Sequence, residues 1–154
     1  GRREGPDLSL LRLGALGRDL LACMAGTNAD FTLTFRRLAD AATDDAGADA
    51  AVRGLFQEPA AFDAWAATWR QRLAREPADP AVRRATMQAA NPAFIPRNHQ
   101  VEAVLAAAQE AGDFAPLEAL LTVLAAPYED RPAFARYALP PKPHEVVRQT
   151  FCGT

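Results

Sequence analysis

Between Pro59 and Pro77, the residues Phe62, Trp65, Ala66, Trp69 and Leu73 recur at helical spacing, while Asp63, Arg70 and Arg72 fall on the other side. An apolar stripe of this kind has to be buried, so the segment predicts an amphipathic helix and a core for it to face. Pro77 stops that helix, because proline lacks the N–H donor and clashes with the preceding turn. The same pattern recurs along the chain. Leu8, Leu11, Leu16, Leu20 and Met24 predict a helix, broken near Gly17 and ending at Gly26. Asp30 reads as the N-cap of a helix through Phe31, Phe35 and Leu38 to about Ala41. The small polar stretch from Thr43 to Asp49 reads as a loop, followed by a short helix from Ala50 to Phe56. Asp79-Pro80 supplies an N-cap and a proline at the first helical position, opening a helix to about Ala90.

Asn91-Pro92 through Pro96 interrupts the helical pattern. It resumes from Arg97 through Val101, Val104, Leu105 and Ala108 until Gly112-Asp113. Phe114, Leu117, Leu120, Leu121 and Leu124 form one more apolar face, ended by Pro127. Beyond it, Pro132, Pro140, Pro141 and Pro143 predict turns and extended chain. No fixed repeat period of the solenoid kind is present. The expected fold is therefore all-α, an irregular bundle of about six or seven helices with an extended, proline-rich C-terminal tail.

Composition agrees. A chain of 154 residues with 49% hydrophobic residues can build a real core. Of the 17 basic side chains only Lys142 is a lysine, and arginine and alanine both favour helix. A net charge of −2 and the lack of an arginine–aromatic stacking pattern predict no nucleic-acid partner. No apolar run is long enough to cross a bilayer, so no membrane partner is expected either. The start, Gly1 to Pro6, is polar and without an initiator Met, which predicts a cut-out or processed piece. The pair Cys23 and Cys152 is too small a set for a disulfide scaffold and points to a reducing cytosol.

Few residues offer chemistry. Lys142 lies in Pro140-Pro141-Lys142-Pro143, which holds it extended and away from a helical core, so it reads as non-catalytic. His99 and His144 fit no ligand spacing, and His99 reads as a helix-start residue making a local hydrogen bond. Cys23, among Leu20, Leu21 and Met24, reads as a buried small hydrophobe. Trp65 and Trp69 read as core, not as a ligand cage. Asp40, Asp44, Asp45 and Asp49 read as a solvated acidic loop, since their spacing does not fit a calcium loop. Cys152, two residues from the end, is poorly explained by packing and reads either as an exposed redox or regulatory thiol or as a bystander. No catalytic, cofactor-binding or metal-binding residue is expected in this chain.

Three segments carry a resemblance. Ala29-Asp30-Phe31-Thr32-Leu33-Thr34-Phe35-Arg36-Arg37-Leu38 is followed by Asn91-Pro92-Ala93-Phe94-Ile95-Pro96-Arg97-Asn98-His99. The third combines Leu124-Ala125-Ala126-Pro127-Tyr128-Glu129-Asp130 with Tyr137-Ala138-Leu139-Pro140-Pro141. In order and spacing they resemble the C-terminal third of the selenoprotein O (SelO/YdiU) family. That resemblance implies a kinase-like enzyme that uses ATP and Mg²⁺ to transfer AMP to hydroxyl side chains of protein substrates. It implies that the phosphate-binding lysine, the catalytic aspartate and the metal ligands lie upstream of this chain. Residues 1–139 would then be a helical C-terminal region whose partner is the upstream kinase-like lobe. Residues 140–154 would be a tail ending in Cys152, which matches by position a terminal cysteine or selenocysteine implied in redox control. Gly153-Thr154 and Pro96 depart from the family pattern. In that picture Arg97 and Asn98 are structural, and Arg97, unfavourably placed at a helix start, needs a carboxylate or carbonyl partner. The alternative expectations are a stand-alone all-α interaction module and a small redox or metal protein using Cys152.

Overall fold

The computed structural model describes residues 8–43 and 45–148 of the chain. It is all-α: seven α-helices and two short 3-10 helices make up the regular structure of the described residues. They are α1 (Leu8–Thr27), α2 (Phe31–Ala41), α3 (Ala46–Arg53), α4 (Pro59–Leu73), α5 (Pro80–Ala90), α6 (Asn98–Ala111) and α7 (Ala115–Leu124). The 3-10 helices span Pro132–Ala138 and Pro143–Glu145. The chain divides into two compact units, Gly1–Met87 and Gln88–Thr154.

In the first unit, α1 packs on α4, and α2 on α3. The predicted stripe of α4 is the centre of the core: Phe62, Trp65, Ala66 and Trp69 are all buried. Phe62 lies between Phe56 and Trp65, its ring tilted against both, with centroids 5.2 and 6.1 Å away. The Trp65 indole N–H donates to the Leu16 carbonyl at 2.9 Å, which ties α4 to α1. Arg83 of α5 closes the other side, donating to the carbonyls of Ala42 and Leu73 at 3.2 and 3.3 Å. These carbonyls lie at the ends of α2 and α4, where helices leave acceptors without an internal partner.

Asp30 caps α2 as predicted, its carboxylate accepting the Leu33 backbone N–H at 2.9 Å. Asp30→Ala is expected to lower the stability of this unit by about 1 kcal/mol in chemical denaturation, the ordinary loss for an N-cap. An unchanged midpoint would show that the cap contributes nothing.

Three local expectations are corrected. α1 neither breaks at Gly17 nor stops at Gly26 but runs unbroken to Thr27. Asn28, at φ 54°, takes the left-handed turn, and the Ala29 N–H reaches back to the Met24 carbonyl at 3.2 Å. Asparagine is the residue other than glycine that tolerates this closing position best. Of the predicted stripe, Leu20 and Met24 are buried, whereas the side chains of Leu8 and Leu11 lie outside the described residues. Second, the loop expected from Thr43 to Asp49 is shorter. Asp45 accepts the Gly47 N–H at 2.9 Å, so α3 starts at Ala46 and ends at Arg53, before Phe56. Third, the tail contains 3-10 turns as well as extended chain. Pro132 and Pro143 each open one, because the proline ring presets the φ of a first helical residue.

In the second unit, α6 packs on α7 and α7 on the longer 3-10 helix. Ala93, Phe94, Val104, Leu120, Val123 and Tyr137 form its buried core. Gly112 ends α6 at φ 64°, a conformation a Cβ would strain, and the predicted break falls there. Of the predicted apolar face on α7, Leu120 is buried and Leu117 and Leu124 are half-buried against the core, whereas Phe114 and Leu121 are exposed; Val123, outside that predicted set, is buried.

Candidate functional site

The three segments singled out in the sequence fall in both units. The first forms α2, whose inner side buries Leu33, Thr34, Arg36 and Leu38. Arg37 at its edge donates to the Ala51 carbonyl at 3.0 Å. The second and third come together in the second unit, although more than twenty positions separate them in the chain. The backbone N–H groups of Ala93 and Phe94 both donate to the Pro127 carbonyl, at 2.8 and 3.1 Å. Arg97 precedes α6, is buried, and donates through Nη2 to the Ala138 carbonyl at 3.0 Å. This is the carbonyl partner its place at a helix start requires. Gln100, one turn on, donates to the Tyr137 carbonyl at 3.3 Å.

Arg131 is the residue the sequence reading missed. Its guanidinium donates to the carbonyls of Thr122, Val123 and Ala126 at the end of α7. The same group lies over the rings of Phe94 and Phe134, 5.5 and 4.9 Å from their centroids. A planar fork with five donors and two faces can do both at once. One signal was available: an arginine shortly after a helix end is a recurrent partner for the last carbonyls.

Where α6 meets the tail, the second unit opens a groove of about 820 Å³ lined by His99, Gln100, Glu102, Arg136, Lys142 and Glu145 among others. Leu139, Pro140 and Pro141 supply an apolar wall. Thus the lone lysine and His99, distant in sequence, line one groove. The Glu145 carboxylate accepts the Lys142 backbone N–H at 2.8 Å. That hydrogen bond is the main reason its carboxyl is held below the ordinary carboxylate value, and the charges of Lys142, His144 and His99 add to it. Arg136 lies over the Tyr137 ring, 4.1 Å from its centroid. The groove therefore presents cations and carboxylates in similar number, suited to hydrogen bonding with a polar ligand. Among the described residues no three His, Cys, Asp or Glu side chains converge on a metal-sized site.

The other candidates are placed as follows. Cys152 lies outside the described residues, as does Asp44. Cys23 is a free thiol, half-buried against the first core, with its Sγ 3.9 Å from the Ala61 carbonyl. Trp65 and Trp69 are stacked core residues, ring centroids 5.3 Å apart. The aspartates of the acidic stretch are individually engaged: Asp40 pairs with Arg84, Asp49 with Arg70, and Asp45 caps α3. His144 and Asn98 are exposed.

With this geometry in place, comparison with known proteins is informative. The family model described as protein adenylyltransferase SelO matches residues 8–125. A protein nucleotidyltransferase YdiU of Rhodopseudomonas palustris (strain BisB18) is 64% identical over 136 residues, covering 88% of this chain and 27% of the relative. Its counterpart in Bradyrhizobium sp. (strain BTAi1) is 58% identical over 139 residues, 90% of this chain and 28% of the relative. That of a Methylorubrum extorquens strain is 57% identical over 145 residues, 91% of this chain and 29% of the relative. The chain thus spans little more than a quarter of the length of the curated relatives it matches. Between them these matches take in the capped α2, the clamp around Arg97 and most of both cores, and the chain belongs to the SelO family of protein adenylyltransferases.

Proposed function

We propose that this chain is the C-terminal helical scaffold and regulatory segment of a protein adenylyltransferase. The whole enzyme moves AMP from ATP, with Mg²⁺, onto hydroxyl side chains of protein substrates. The observation that carries this reading is the family match over residues 8–125 in a chain that spans 27% of a relative named a nucleotidyltransferase. The use of the strongly charged side chains supports it. Arg97 and Arg131 bind backbone carbonyls, and Asp40 and Asp49 bind arginines, so all four act as structural ties.

ATP and Mg²⁺ do not fit the residues in hand. The described residues bring no three acidic or imidazole ligands together, and the groove beside Lys142 sets its cations against Glu102 and Glu145. This reading assigns no residue of this chain to either and gives the chemistry to the upstream kinase-like lobe, its partner, as the resemblance implies. Cys152, outside the described residues, is the regulatory candidate. Bacterial relatives support a bacterial cytoplasmic setting.

Intact-mass analysis tests the reading. The chain alone, and a version extended upstream to the length of the relatives, are each incubated with ATP, Mg²⁺ and a protein acceptor. AMP addition is expected with the extended protein and absent with the 154-residue chain. Addition by the short chain alone overturns the scaffold assignment. Addition by neither favours a helical interaction module without enzymatic activity.

A further inference from the structure

The second half of α1 is apolar on both sides. Leu20 and Met24 point into the core, while Leu21, Ala22, Ala25 and Gly26 face outward. From Leu20 to Ala29 the chain carries no charged residue. A helix side that stays in water ordinarily carries polar and charged residues, and one that is apolar all round is buried. The apolar surface continues onto α2, where Phe31 is 60% exposed and its ring lies tilted against that of Phe35, centroids 4.7 Å apart. Leu21, itself 45% exposed, and Phe31 border a shallow hollow of about 500 Å³.

The glycines carry the argument further. At Gly17 and Gly26 an added Cβ would meet nothing within 4 Å. Neither has a left-handed φ, and glycine inside a helix costs about 1 kcal/mol relative to alanine. Nothing within the described residues calls for either. Close approach by another backbone does, because glycine alone adds no side chain at the contact.

We propose that this face is a docking surface, and that its occupant is the remaining polypeptide of the whole protein, with Phe31 as the anchor. The proposal rests on the reading of this chain as part of a longer adenylyltransferase. The relative from Rhodopseudomonas palustris, of which the chain spans 27%, shows how much polypeptide is available to cover it. A permanent partner suits the chemistry, since an exposed apolar patch promotes association when left in water, and the one acidic residue lining the hollow, Asp30, has its carboxylate turned to the Leu33 N–H.

The test is thiol labelling. Cys23 is replaced by Ala, and Ala25→Cys and Phe31→Cys are introduced singly into the 154-residue chain and into the whole protein. Maleimide labelling is read at each site by peptide mass spectrometry, with AMP transfer measured on the same whole-protein sample. Both sites are expected to label about 100-fold more slowly in the whole protein, since a buried site reacts only through local opening. Equal rates in the two proteins overturn the proposal. So does slow labelling in the short chain accompanied by a doubled mass in light scattering, which makes a second copy the occupant. Protection without AMP transfer sinks the enzymatic reading and leaves the docking surface standing. Transfer with equal labelling rates does the reverse.

Discussion

Phe62→Ala is expected to lower the stability of the first unit by about 3–5 kcal/mol, the range for truncating a buried aromatic residue. Phe62 is 1% exposed and lies between Phe56 and Trp65, so truncation leaves a cavity that two rigid rings cannot collapse to fill. The measurement is urea unfolding of the 154-residue chain, followed by tryptophan fluorescence from Trp65 and Trp69. Phe31→Ala is the control. Phe31 is exposed, so its loss is expected to change stability by about 1 kcal/mol or less. Equal losses from the two substitutions would show that the core is not where the α4 stripe places it.

Arg131→Ala is expected to destabilise the second unit by about 2–4 kcal/mol, from the lost hydrogen bonds and ring contacts together. The substitution leaves the carbonyls of Val123 and Ala126 without their donor at the end of α7. It also uncovers Phe94 and Phe134. Arg131→Lys separates this account from one of simple charge. An ammonium reaches one carbonyl at a time and has no flat face, so lysine is expected to restore less than half of the loss. Full rescue by lysine would reduce Arg131 to a point charge. The readout is the thermal midpoint of the second unit, followed by loss of protection at the Ala93 and Phe94 amides that donate to Pro127.

Much of this architecture was legible in the chain. Wherever apolar residues repeat at helical spacing between prolines, as in α4, the element follows from local geometry, because the period fixes which side is buried. Asp30 and Asp79 were legible for a similar reason: a cap acts on backbone two or three residues away, well within a local reading. Where the reading failed, two local signals competed. Gly26 and Asn28 both allow an α1 stop, and the Ala29-to-Met24 hydrogen bond selects Asn28. Asp45 turns a small polar stretch into the start of α3.

What the sequence by itself determined is the all-α class, the α4 core stripe, the principal helix stops and, through three spaced segments, the family. Each depends on interactions spanning a few residues, or on an order of motifs, and both survive in a linear string. Only the tertiary structure decided that the segments around Pro92 and Pro127 share a carbonyl, and that Arg97 finds its partner at Ala138. It alone decided that Arg131 ties α7 to two rings, and that Leu21 and Phe31 are left uncovered while Leu20 and Met24 are buried. Those contacts join residues far apart in the chain, and the partner atoms are mostly backbone carbonyls, which every residue carries and no side-chain pattern marks.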